Sequence, residues 1–175
     1  MKSLLPFSIP VKGLHSGTHQ FDFQIDSSFF EAFEASPIND GQVSVSLSFD
    51  KRPGLYVLEF NLEGTVKTEC DRCLALIDLP IGGEQRLLVK FSEEAQAEEA
   101  DVVYINPDDS QLNVAQFIYE YIILAMPMLK VYDCENDETP KCNLEMLRHL
   151  EGETQDQDAP NPLWDALKGF QPEDD

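Results

Sequence analysis

The chain's four cysteines fall in two pairs, Cys70-x2-Cys73 and Cys134-x7-Cys142. Thiolates three residues apart can clamp one zinc ion only where the backbone turns between them, because along a plain strand they would face opposite sides. Cys70-Asp71-Arg72-Cys73 lies between two strand-like runs, where such a turn fits. A second pair about sixty residues on would complete a tetrahedral set. The second spacing is loose, and no Pro-Gly knuckle surrounds either pair. Four readings therefore stand: a structural zinc on Cys70, Cys73, Cys134 and Cys142, four reduced thiols, a thiol–disulfide pair, or a site mixing cysteine with His149. A thioredoxin-like role for CDRC would need a helix opening behind the first cysteine, and strand-like sequence follows instead.

Other chemistry-bearing patterns are thin. His15 and His19 are spaced i, i+4 but not in a convincing helix. The sequence contains no G-x-S-x-G elbow, P-loop or G-x-G-x-x-G. The acid pairs Glu93-Glu94 and Asp108-Asp109 are adjacent rather than placed across an apolar cleft, which reads as solvated surface. These patterns give no enzyme. Lys51, Arg52, Lys67, Arg72, Arg86 and Lys90 cluster in the N-terminal half and are candidate contacts to RNA or a protein partner, or else routine surface charge.

The elements that would position these residues read as α+β: an antiparallel β sheet or partly open barrel, followed by C-terminal helices. Phe21, Phe23 and Ile25 alternate, and Ser27 resembles the cap of a short helix that Pro37 closes. Val43, Val45, Leu47 and Phe49 alternate with polar residues, Lys51 to Gly54 reverses the chain, and Tyr56, Leu58, Phe60 and Leu62 return. Gly64 and Gly82-Gly83 read as breaks, with Leu87, Val89 and Phe91 in phase beyond the second. Val102–Ile105 reads as a further strand. Asn113 looks like a cap for an apolar helix ending at Pro127, and Asn143 for a second helix that Gly152 stops. This makes one domain over 1–150, β-rich over 1–105 and helical over 106–150. An acidic tether, 151–160, then leads to a docked tail helix, 161–170, anchored by Leu163, Trp164, Leu167 and Phe170.

Charge narrows the partners. The 175 residues carry 33 acids and 12 bases, a formal charge of −21. Residues 1–92 hold 12 acids against 8 bases, while 93–175 hold 21 against 4. The C-terminal half is therefore strongly anionic, which suits a soluble, self-repelling surface or the docking of something cationic. A basic nucleic-acid-binding face does not dominate, and DNA is not an expected partner. The run from Phe117 to Leu129 contains Glu120 and Pro127 and is too short to span a bilayer. Pro6 and Pro10 interrupt the apolar N-terminus, so the expected compartment is the cytoplasm.

Three stretches together resemble the YceD family from about residue 15 onward. They are GTVKTECDRCLALIDLPI, with Cys70, Arg72, Cys73 and Leu74 as the sharpest signature; NVAQFIYEYIILAMPM after an acidic loop; and NPLWDALKGF after an acidic tether. The resemblance implies a part in accumulation of large-subunit ribosomal RNA, and no catalytic residue carries over with it. With the acidic charge, it implies a non-enzymatic large-subunit assembly factor that binds a basic ribosomal protein or an rRNA–protein intermediate. The alternative is a zinc- or thiol-dependent enzyme centred on Cys70 and Cys73.

Overall fold

The computed structural model describes residues 4–34, 36–38, 40–92, 101–133 and 142–153. After a 3-10 turn at Leu5–Phe7 come β1 (Ser8–Ile9), β2 (Gly17–Ile25), α1 (Ser27–Phe30), β3 (Asp40–Arg52), β4 (Leu55–Glu69) and β5 (Leu76–Phe91). Then follow β6 (Val102–Ile105), β7 (Leu112–Asn113), α2 (Ala115–Ala125) and α3 (Leu144–Glu153). Strands β2 to β6 form one sheet in sequence order, and β1 pairs with β7 in a short second ladder. The contacts divide the chain into two compact units. One spans Met1–Glu69 with Leu76–Lys130; the other joins Cys70–Ala75 to Val131–Asp175.

The α+β architecture expected from the sequence is present. β3 buries Gly41, Val43, Val45, Leu47 and Phe49 and turns Gln42, Ser44 and Ser46 to solvent, the alternation of a half-buried strand. Pro53 and Gly54 close the β3–β4 hairpin, Gly54 at φ +75° where a side chain would be strained. Strand register then lines residues up in rows across four strands. His19, Phe49, Leu58 and Leu87 make one such row, and Ile25, Val43, Gly64 and Ile81 another. α2 lies on β5 and buries Ala115, Ile118, Tyr121 and Ile122, the Tyr121 ring 5.1 Å from that of Phe60.

Several local expectations need correction. Gly64 and Gly82-Gly83 do not end strands: β4 runs 15 residues and β5 16, straight through them. Strands about three times the usual length must bend within the sheet, and an interior glycine accommodates the close approach of a neighbour there. The sheet is antiparallel only through β5, since β6 joins the edge in parallel register, Leu88 opposite Val102. Asp26, not Ser27, caps α1, its Oδ1 accepting from the Ser28 N–H at 2.8 Å. Asn113 sits in β7 rather than at the helix cap itself. Its Oδ1 still accepts from the Ala115 N–H, while its amide donates to the Leu4 carbonyl and Ser8 Oγ. α3 opens after Asn143, whose side chain accepts from the Met146 N–H, but it continues through Gly152.

Candidate functional site

The CDRC segment is the connection between β4 and β5, the turn its spacing requires. The Leu74 N–H donates to the Cys70 carbonyl at 2.9 Å, and the Cys70 N–H donates to the Ala75 carbonyl at 2.8 Å. To close this loop Leu74 takes φ +57°, a left-handed conformation that costs a non-glycine residue about 1–2 kcal/mol. Cys70 and Cys73 are free thiols, and both are buried, at 1% and 0% exposure. Asp71, Arg72 and Leu74 point to solvent. Strain of this kind persists where the surrounding structure over-determines it, and here it holds two sulfurs inward on one side of a tight turn.

The surroundings of Cys70 act on its thiol in opposite directions. Burial pushes its pKa up, but the backbone N–H groups of Cys73 and Arg72 donate to its sulfur. The Cys73 side chain also bonds to it, and the Arg72 guanidinium supplies positive charge. The net direction is downward from the ordinary thiol value of 9.0. Cys142 stands just before α3 and is disulfide-bonded, while Cys134 lies outside the described residues. His149 is exposed on α3. Among the described residues no three His, Cys, Asp or Glu side chains gather closely enough to hold a metal ion.

Four of the six cations expected to meet RNA or a partner have partners within the protein. Lys51 donates to the Val11 and Leu14 carbonyls at 2.7 and 2.8 Å, so it clamps an N-terminal loop to the sheet. Arg52 pairs with Asp50 at 2.6 Å, Lys67 with Asp40 at 2.6 Å, and Arg86 approaches Glu59 at 3.9 Å. The hydrogen bond from Lys67, with its charge, holds the Asp40 carboxyl below its usual value. Arg72 and Lys90 are exposed. The outer face of the sheet carries a shallow polar groove of about 510 Å³, whose lining includes Gln20, Ser48, Glu59, Asn61, Glu84 and Arg86. His15 and His19 do approach, rings 4.5 Å apart, with His19 Nε2 against the His15 carbonyl at 2.9 Å. The tail positions Leu163, Trp164, Leu167 and Phe170 lie outside the described residues.

Two features of the site escaped the sequence. Nothing in its residue type marks Leu74 as left-handed, since only glycine or asparagine there would signal it. Lys51 is likewise indistinguishable from a surface lysine until its two carbonyl partners are seen.

A family described as "Large ribosomal RNA subunit accumulation protein YceD" matches residues 58–171. The chain belongs to the YceD family. The matched span opens inside β4 and takes in the Cys70–Cys73 turn, β5, α2 and both distal cysteines, so it bears out the resemblance carried by CDRC. The family description ties this YceD chain to accumulation of large-subunit ribosomal RNA. No curated protein and no solved structure matches. Among the described residues of this YceD protein, no helix is long and apolar enough to cross a membrane.

Proposed function

We propose that this YceD protein is a non-enzymatic factor of large-subunit biogenesis, acting in the cytoplasm by binding a basic ribosomal protein, free or within an rRNA–protein intermediate. The observation that supports the reading is that four of its six candidate cations are held by groups of the protein itself. Lys51 is spent on backbone carbonyls and Arg52, Lys67 and Arg86 face carboxylates, on a chain of formal charge −21. Affinity for RNA comes chiefly from unpaired Lys and Arg displacing counterions at phosphates. A surface that is anionic and has its cations paired instead repels phosphate and attracts basic protein. The burial of Cys70 and Cys73 also favours this reading over thiol catalysis, since a nucleophilic sulfur must meet its substrate.

The test is binding of the purified chain to individual basic large-subunit ribosomal proteins and to naked large-subunit rRNA, at about 0.15 M salt. Tight, salt-sensitive binding to a ribosomal protein, with none to the RNA, is expected. Binding to RNA alone would overturn the reading. In cells lacking the gene, the ratio of mature large-subunit to small-subunit rRNA should fall and recover with the intact gene.

A further inference from the structure

We propose that the free edge of β2 is a docking site for an extended, Lys/Arg-rich segment of a partner protein, which adds to the sheet as a sixth strand. This rests on the reading above that the partner is a basic protein, and gives that partner a place. β2 is the outermost strand of its five-stranded sheet and pairs with β3 along all nine of its residues. Among the described residues, none of its backbone groups bonds on the other side. In an antiparallel ladder every second residue of such a strand turns its N–H and C=O away from its neighbour, so β2 offers a row of unmade hydrogen bonds. Proteins ordinarily blunt an edge of this kind with Pro, Lys or a bulge. At the opposite edge of the sheet β6 pairs with Leu88–Phe91 of β5, and the stretch of β5 before it carries Pro80. β2 contains neither Pro nor Lys, and its register with β3 runs without a bulge.

The side chains along the edge select the occupant. Phe21 and Phe23, on the core side, are only half-buried, where a sixth strand would cover them. At the end of β2 lies a cavity of about 220 Å³, lined by Gln24, Leu4, Pro6, Phe7 and Phe29, which suits one aliphatic side chain. Strand addition draws affinity from main-chain hydrogen bonds and specificity from such pockets. On the outer side Asp22 stands opposite the uncharged Ser46 and shares a shallow groove with Glu63. Among the described residues neither carboxylate has an ion pair, and no cation lines that groove. Alternate residues of a strand point to opposite faces. An added strand that alternates apolar and basic residues therefore covers the phenylalanines with one face and meets Asp22 with the other. A second copy fits less well, since two chains of formal charge −21 repel each other. RNA phosphate meets the same repulsion.

The test titrates the isotopically labelled full chain with a capped peptide of alternating Lys and Val, matched to β2 at nine residues, and reads amide exchange residue by residue. Saturable binding is expected. Every second amide between Gly17 and Ile25 should exchange about tenfold more slowly when the peptide stands at about ten times its Kd. The same peptide with Glu in place of Lys should not bind. Asp22→Lys should weaken binding about tenfold. Glu69→Lys makes the same change of charge at the exposed far end of β4, and should leave binding within about twofold of wild type. No binding, protection elsewhere than on β2, or equal binding of the Glu peptide overturns the proposal. So does a free chain that self-associates with those β2 amides already protected. If the peptide protects β2 but no ribosomal protein binds the chain, the assembly reading fails and the docking site stands. A ribosomal protein that binds and leaves β2 unprotected overturns the docking site alone.

Discussion

Two glycines on the core face of the sheet make opposite predictions, and together they test how the long strands bend. Gly64 sits on β4 between Val43 and Ile81. A Cβ added there would stand 2.6 Å from Val43 Cα and closer still to the Gln42 carbonyl oxygen. Carbon atoms pack comfortably at about 3.5 Å or more, so the shortfall is about 1 Å. The obstacle is backbone of a paired strand, which cannot swing aside as a side-chain tip does. Overpacking costs about 1–3 kcal/mol, and a backbone obstacle places Gly64→Ala at the upper end. The loss of unfolded-state freedom returns about 0.4–1 kcal/mol, which leaves a net destabilisation of about 2 kcal/mol. For a chain of this size that is a fall in Tm of about 4–8 °C. Gly83 on β5 faces the same core, but nothing stands within 4 Å of its added Cβ. Gly83→Ala should therefore leave Tm unchanged or raise it slightly. The assay is thermal unfolding followed by circular dichroism on both variants. A Gly64→Ala variant as stable as wild type, or a Gly83→Ala variant losing just as much, would refute the account of the bend.

Other outcomes follow from single side chains. Burial first, then the charges of Asp101 and Glu120, push the Tyr121 phenol up to about 12 from an ordinary 10.0. Its folded value is the higher one, so its contribution is fully present below about pH 10 and is lost as pH rises through about 12. Tyrosinate absorbance should show one phenol titrating near 12, and Tyr121→Phe should remove that step. Asp40 titrates below its usual 3.8 because of its hydrogen bond to Lys67. Its contribution is present above pH 3.8 and lost as pH falls through the lowered value. Carboxyl NMR should find the Asp40 pKa raised in Lys67→Met, and an unmoved pKa would count against the pair. Leu74→Gly should stabilise the chain by about 0.5–1 kcal/mol, the left-handed penalty less the entropy of glycine. Leu74→Val should destabilise it, and chemical denaturation of the pair reads both signs.

The strands were legible because their demand on the sequence is simple. Phe21 to Ile25, Val43 to Phe49 and Tyr56 to Leu62 carry a period of two, and burial follows it. Breaks were harder, because glycine serves both turns and bends. Gly54 and Gly64 look alike in the sequence, yet one takes φ +75° between strands and the other meets a neighbouring backbone inside one. The parallel edge of β6 left no trace, since four residues have no pattern that tells parallel from antiparallel. At the site, the spacing of Cys70 and Cys73 announced a turn. Which way the sulfurs face depends on Leu74, whose residue type gives no hint of it. The pairing of the cations was hidden for a similar reason: a lysine and its carboxylate can be 27 residues apart, as Lys67 and Asp40 are, and only strand register joins them.

The fold and the β4–β5 turn make different demands on the sequence. The core draws on Ile25, Val43, Val45, Leu47 and Phe49 outside the span 58–171 that matches the family, and on Leu58, Phe60, Leu62, Leu87 and Ile118 within it. Core positions require apolar residues of about the right volume at alternate places, and many combinations meet that need. The β4–β5 turn asks for more. It needs a sulfur at Cys70 to accept from the Arg72 and Cys73 N–H groups, a second sulfur at Cys73, and a residue able to sit left-handed at Leu74. Few substitutions keep all three, whereas the sheet that carries the turn tolerates repacking. A chain under selection only for stability would gain by a glycine at Leu74. The turn instead keeps two buried sulfurs and bears the strain of a left-handed leucine.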